Sequence, residues 1–295
     1  MEYSIFKECI LEAMKERFPD DTVIEYKDVL KNNGVKLDGL LVRTEGRDIS
    51  PTVYVNDYYD LLEEGEDFER ICDRIEELIV NNRISPDFDP DSLIAFDNVK
   101  DKIAFKLINY SKNTELLKDV PHKKYLDLAV VYYITVNDEF IERGSILINN
   151  SHLKLWDKNE DEIDELARIN APSLFKAELK SMADTLSEFL GFEGEDEMAL
   201  ADCNMYVLSN DKKHFGAAVM LYDNILKEFA GKVGSDFFIL PSSVHEVIMI
   251  PTEYVDEAAR LDEMICEINA TQVPAMDILS DHSYLYCKDK ECVTY

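Results

Sequence analysis

The sequence predicts an α+β protein in two lobes, built from mostly antiparallel sheets with helices packed on one face. Three observations carry that expectation. Apolar residues recur at three- and four-residue steps in some segments, whereas in others they alternate or run through short β-branched stretches. The strand-like stretches come in pairs around turn formers, the arrangement of hairpins rather than of parallel crossovers. Two prolines and several turn formers crowd into "NNRISPDFDPDS", residues 81–92. That stretch reads as a linker closing an α-β-β-β-α lobe at residues 1–92 and opening a larger α+β lobe at residues 93–295.

The elements follow in order. Ile5, Phe6, Cys9, Ile10, Ala13, Met14 and Phe18 form one apolar stripe along a helix, which Pro19-Asp20-Asp21 stops. Residues 22–30, 35–43 and 50–59 read as strands. Asn33-Gly34 joins the first two, because both residues tolerate positive φ. An acidic amphipathic helix covers 67–80. In the second lobe, 101–111, 126–136 and 144–150 read as strands. The run "DLAVVYYITV" is apolar on both alternating faces, as a central strand covered twice would be. Helices follow at 161–170 and 174–190. Strands at 203–209 and 216–222 form a hairpin about Asn210-Asp211, a helix at 224–233 ends on Gly234, and strands at 236–240 and 246–250 come next. A helix at 253–270 and a closing hairpin, "DHSYLYCKDKECVTY", complete the chain.

Composition narrows the function classes. The chain has 295 residues, 46% of them hydrophobic, enough for a sizeable core. Its 61 acidic and 31 basic residues leave a net charge of -30 at pH 7, which repels phosphate backbones and anionic lipid surfaces. Direct nucleic-acid binding is disfavoured, and the dispersed carboxylates read as solvated helix faces. The first residues lack the basic and apolar regions of a secretory signal. No apolar run approaches the roughly 18 to 20 residues of a membrane span. No membrane association is expected, and the expected location is cytoplasmic. The six cysteines, Cys9, Cys72, Cys203, Cys266, Cys287 and Cys292, include no C-x-x-C pair and suit a reducing compartment. Cys287 and Cys292 face each other across the closing hairpin if Asp289-Lys290 turn; a disulfide is conceivable there, and reduced thiols fit a cytosol better.

"NNGVKLDGLLVR", "ISPTVYVNDYY", "KLINYSKNTELLKDVPHKKYLDLAVVYYI" and "GSDFFILPSSVHEVIMIP" occur in that order. Together they resemble an uncharacterised clostridial (Firmicutes) family classed as a domain of unknown function, marked by a P-S-S-x-H-E-V segment. The resemblance implies a bacterial cytoplasmic protein and supplies no catalytic residues.

"ILPSSVHEVIMIP", residues 239–251, gathers hydroxyls, an imidazole and a carboxylate between apolar runs. His245-Glu246 does not open H-E-x-x-H, because Met249 stands where the second histidine is required. Ser243 and His245 could pair as hydroxyl and base. In an extended strand, however, Glu246 points away from His245 and cannot orient it. The segment therefore reads as two core strands joined by a polar turn, with Ser242, Ser243 and His245 as candidate ligand contacts. Asp38 is the fourth candidate. The order α-β-β-β-α loosely resembles the PD-(D/E)xK nuclease core, in which an aspartate at that place binds metal, but Thr52-Val53-Tyr54-Val55 supplies neither the second carboxylate nor the lysine. Asp38-Gly39 otherwise marks a bulge or a close backbone approach. No phosphate-binding glycine loop and no G-x-S-x-G elbow occurs.

No catalytic residue, metal or cofactor is assigned. The expected function is a non-catalytic binding or regulatory protein acting on an unknown protein partner. Two alternatives stay open: a hydrolase whose site, drawn from Ser243, His245, Asp38 and His122, assembles from distant segments, and an acidic nucleic-acid mimic.

Overall fold

The computed structural model describes residues 1–44, 52–81, 95–138, 141–190, 204–241 and 243–295. Beyond Asn81, the stretch read as a linker lies outside them, as does Ser242. The chain divides into two compact units. One comprises Met1–Lys31, Val35–Asn98 and Asp138–Glu142; the other comprises Asn32–Gly34, Val99–Asn137 and Arg143–Tyr295.

In the first unit, helix α1 (Tyr3–Arg17) buries Phe6, Ile10 and Met14, one residue per turn along a single stripe. Strands β1 (Thr22–Leu30) and β2 (Lys36–Thr44) pair antiparallel without interruption from Thr22↔Thr44 to Leu30↔Lys36. Asn33 and Gly34 adopt the expected left-handed backbone, at φ 59° and 72°. Strand β3 (Thr52–Tyr54) adds to β2 but is shorter than the expected 50–59 strand, whose first two residues lie outside the description. Helix α2 (Asn56–Glu63) takes over because the Asn56 side chain, not another ladder residue, accepts the Asp38 N–H at 2.8 Å. Helix α3 (Phe68–Asn81) closes the core by burying Ile71, Cys72, Ile75 and Ile79 beside Leu40, Val53 and Val55.

In the second unit, strand β6 (Leu128–Asp138) runs between β4 (Ile103–Asn109) on one side and β5 (His122–Tyr125) and β7 (Ile141–Leu147) on the other. Its residues from Leu128 to Ile134 are all buried, as the continuous apolar run anticipated. Helix α4 (Asn150–Trp156) and helix α5 (Glu160–Leu174) follow; each starts at an asparagine capping box, Asn149 with His152 and Asn159 with Glu162. A six-stranded antiparallel sheet comes next, in the order β13-β12-β10-β11-β9-β8. Its strands are β8 (Ala177–Ser181), β9 (Tyr206–Asn210), β10 (Phe237–Leu240), β11 (Val247–Pro251), β12 (Tyr284–Cys287) and β13 (Cys292–Thr294). Phe229 of helix α7 (Ile225–Val233) packs on Phe237 and Tyr206. Leu261 and Ile265 of helix α8 (Ala259–Thr271) pack with Leu240 and Ile250, whose side chains alternate to the opposite face. The α+β class with antiparallel sheets is what the sequence led us to expect, and here helices cover both faces of the sheet.

Three local expectations change. Residues 174–190 are not one helix: Ala177–Ser181 pairs with β9, and the Ser181 hydroxyl then accepts the Asp184 N–H to cap helix α6 (Met182–Leu190). Cross-strand pairing has overridden helix propensity there. Residues 216–222 are not a strand but contain a 3-10 turn, Gly216–Leu221. The helix expected from 253 begins only at Ala259, after a 3-10 turn at Thr252–Tyr254. Gly234 ends α7 at φ 85°, as its position after the apolar stripe required. No described helix is long and apolar enough to cross a membrane.

Candidate functional site

The polar turn of "ILPSSVHEVIMIP" meets two other segments. Pro241 ends β10, and β11 starts only at Val247, so Ser243, His245 and Glu246 all belong to the turn rather than to a strand. Ser243 is buried. Its hydroxyl donates to Glu246 Oε1 at 2.8 Å and accepts the His245 backbone N–H at 3.0 Å, so it closes the turn on itself. Val244 N–H donates to the Asp277 carbonyl at 2.8 Å, and Ser243 bridges Ile278.

The second segment follows β9. Buried Asn210 holds it: Oδ1 accepts the Lys212 and His214 N–H groups at 3.0 and 3.3 Å, and Nδ2 donates to the His214 carbonyl at 2.8 Å. This side-chain scaffold maintains Lys213 and Phe215 in left-handed backbone at φ 51° and 53°, which costs about 1–3 kcal/mol per residue when unsupported. Gly216 then passes so close to β9 and the turn that an added Cβ would lie 2.2 Å from Ser209 Oγ and 2.4 Å from the His245 carbonyl oxygen. That carbonyl accepts the Ser209 hydroxyl at 2.7 Å.

His245 joins the pieces. Its Nδ1 accepts the Phe215 N–H at 3.3 Å, which puts the ring proton on Nε2, and Nε2 faces Asp277 Oδ1 at 3.5 Å. The Phe215 and His245 rings lie parallel, 7° apart, with centroids 5.9 Å apart. Ser243 and His245 therefore meet through backbone and not through hydroxyl and imidazole. A nucleophile needs its base at hydrogen-bond distance, and here the hydroxyl is committed to Glu246 and the imidazole to Phe215 and Asp277.

The other residues suggested by the sequence do not join this turn. Asp38 lies in the first unit, where Oδ2 accepts the Tyr3 hydroxyl at 2.7 Å and Oδ1 accepts from Lys7. Burial pushes its carboxyl up, but the bonds from Lys7 and Tyr3 outweigh that and hold it below the usual carboxylate range. At Gly39 the close neighbour is a side chain and not the expected backbone: an added Cβ would meet Thr52 Cγ2 at 2.5 Å, and the β1–β2 register has no bulge. His122 Nδ1 lies 2.8 Å from the Val120 carbonyl oxygen, and its backbone N–H donates to Glu160 at 3.2 Å.

Two carboxylate clusters were not singled out from the sequence, one around half-buried Asp127 and one around buried Asp164. Asp127 accepts the Ser280 hydroxyl at 2.6 Å and the Tyr284 hydroxyl at 2.5 Å, while the nearby His282 ring turns to Asp262 at 3.3 Å. Serine, histidine and aspartate are thus close neighbours here without forming a relay. Asp164 on α5 takes Lys123 Nζ at 3.0 Å, the Tyr132 hydroxyl at 3.1 Å and Arg168 Nε on both oxygens at 3.1 and 3.0 Å. Burial pushes Asp164 up, and the bonds from Arg168, Lys123 and Tyr132 more than offset it, so the carboxyl is held low. The signal was present in the sequence, because Asp164 falls on the same helix face as buried Ile163, Ala167 and Ala171. Among the described residues, no group of three or more histidine, cysteine or acidic side chains is placed to hold a metal ion.

The model of a family of unknown function, DUF5688, matches residues 3–288. The chain belongs to DUF5688. The match runs across both compact units and includes Asp38, Asp127, Asp164, Ser243, His245 and Asp277. Searches of curated proteins and of solved structures found no match.

Proposed function

We propose that this DUF5688 protein is a non-catalytic binding protein of the bacterial cytoplasm that acts through protein contacts, with its lobes divided near residue 92. One observation carries the reading. The Ser243 hydroxyl donates to Glu246, and the His245 ring is held between Phe215 N–H and Asp277, so neither group is directed at the other. Their bonds hold the Ser243 turn to the segment after β9, the work of a structural junction. A net charge of -30 supports contact with basic or neutral protein surfaces over contact with nucleic acid or anionic lipid.

The test is turnover by the purified full chain. Wild type, Ser243→Ala and His245→Ala are assayed against carboxylic ester, phosphodiester and peptide substrates, with circular dichroism to establish folding. The expected result is no hydrolysis above buffer for any of the three. Hydrolysis by wild type that either folded variant abolishes would overturn the proposal and favour the hydrolase alternative.

A further inference from the structure

Arg168 and Lys176 share a cleft of about 400 Å³ within the second unit, lined also by Phe105, Ala177, Tyr222 and Asp223. That volume lies in the range of small-molecule sites, roughly 300–1,000 Å³. Its charge runs against the chain as a whole. The sequence carries about two acidic residues for each basic one, 61 against 31, whereas the cleft carries two cations and one carboxylate.

Arg168 is held in place from behind. Buried Asp164 engages its Nε with both oxygens, and Lys123 and Tyr132 fix Asp164 in turn. The guanidinium carbon sits 5.5 Å from the centre of the Phe105 ring, one wall of the cleft. With Nε committed to Asp164, Nη1 and Nη2 are the groups that remain to donate, the planar fork that matches a carboxylate. Keeping a carboxylate such as Asp164 buried is costly in itself, and holding one cation at one place and angle is what this arrangement achieves. Tyr222 lines the cleft beside Phe105, and the two rings meet edge-on with their centroids 6.0 Å apart. Its hydroxyl is donated to the Phe175 carbonyl at 3.1 Å, so Tyr222 offers the cleft its ring.

We propose that this cleft binds a small aromatic carboxylate, with the carboxylate on Arg168 and Lys176 and the ring packed against Tyr222. With Asp164 balancing Arg168, and Asp223 set against Lys176, the cleft holds no surplus of positive charge for a phosphate dianion, and what it offers is a donor fork of carboxylate geometry. This inference goes beyond the proposed function and does not depend on it.

The probe is benzoate, titrated into the full chain by ligand-observed NMR, with benzyl alcohol and phenyl phosphate for comparison. Two variants spare Arg168, whose loss would strand Asp164: Lys176→Glu inverts one charge at an exposed position, and Ala177→Trp fills the cleft. Saturable benzoate binding is expected, at least tenfold weaker in each folded variant. Benzyl alcohol should bind at least tenfold more weakly than benzoate, and phenyl phosphate more weakly than benzoate. The proposal is overturned if benzoate fails to saturate, if it binds both variants as it binds wild type, or if the neutral alcohol or the phosphate matches or exceeds it.

Discussion

Replacing Gly216 with alanine tests whether the junction around His245 is a packed structural contact. The added Cβ would lie 2.2 Å from Ser209 Oγ, 2.4 Å from the His245 carbonyl oxygen and 2.8 Å from the Asn210 nitrogen. Two of these three are backbone atoms, one at the end of β9 and one in the turn that leads into β11, so the clash cannot be relieved by a side-chain rotation alone. Overpacking of this kind costs about 1–3 kcal/mol. The Ser209–His245 hydrogen bond lies in the path of the new methyl, and its loss adds about 1 kcal/mol. The expected destabilisation is therefore about 2–4 kcal/mol. Gly231 supplies the control. It lies on the exposed side of α7, an added Cβ there meets nothing within 4 Å, and alanine in a helix gains about 1 kcal/mol over glycine. The two variants should move in opposite directions in urea unfolding followed by Trp156 fluorescence, since the only tryptophan lies in the same unit as both glycines. If Gly216→Ala unfolds at the wild-type urea concentration or above it, the close approach at this junction is not real and the structural account of His245 fails with it.

Two other predictions concern ionisation and oxidation. The Asp38 carboxyl is held below its unfolded value of about 3.9, so its contribution to stability is complete above that pH and is lost as pH falls through the folded value. Asp38→Asn should lower stability near neutrality by roughly 1–3 kcal/mol and flatten the decline between about pH 5 and 2; parallel acid limbs for the two proteins would show that the pairing with Lys7 and Tyr3 carries no pH dependence. Cys287 and Cys292 are direct cross-strand partners, a relation that puts Cα atoms about 4.5–5.5 Å apart, within the span of a disulfide. Treatment of the reduced protein with glutathione disulfide should yield an intramolecular bond between them, detected as a loss of two hydrogens in a non-reduced peptide digest and absent in Cys292→Ser; an unchanged peptide mass would refute the register.

Where a segment's own residues determine its conformation, the sequence was readable. The Phe6-Ile10-Met14 stripe, the Asn33-Gly34 turn, the continuous apolar run of β6 and the cap at Gly234 are local solutions to local chemistry, and each appears where its pattern placed it. The Ser243 to Glu246 turn was recognisable as polar and strand-linking, but the strand alternation expected to separate His245 from Glu246 does not apply, because both lie in the turn and are held apart by their own partners. Asp277 could not be named as the partner of His245, because it lies 32 positions away and follows helix α8. Residues 216–222 misled for a related reason. "GAAVMLY" has strand composition, but the conformation that leads into it depends on two left-handed residues supported by the side chain of Asn210, which sequence pattern does not reveal. Asp164 hid among the carboxylates of "DKNEDEIDELAR"; only its position on the buried face of α5 separates it from its solvated neighbours.

The sequence by itself determined the α+β class, most of the strand and helix positions, the acidic surface and the breakage of each catalytic motif, because these depend on composition, periodicity and spacing along the chain. The tertiary structure decided which polar side chains are committed and to what. It placed Ser243 on Glu246, His245 between Phe215 and Asp277, and Arg168 against Asp164 at the edge of a cleft. A hydrogen bond or a buried charge takes its meaning from the partner within about 3 Å. Ser243 and Arg168 find these partners within their own turn and helix, but both partners of His245 come from other segments of the chain, so only the fold could bring them together.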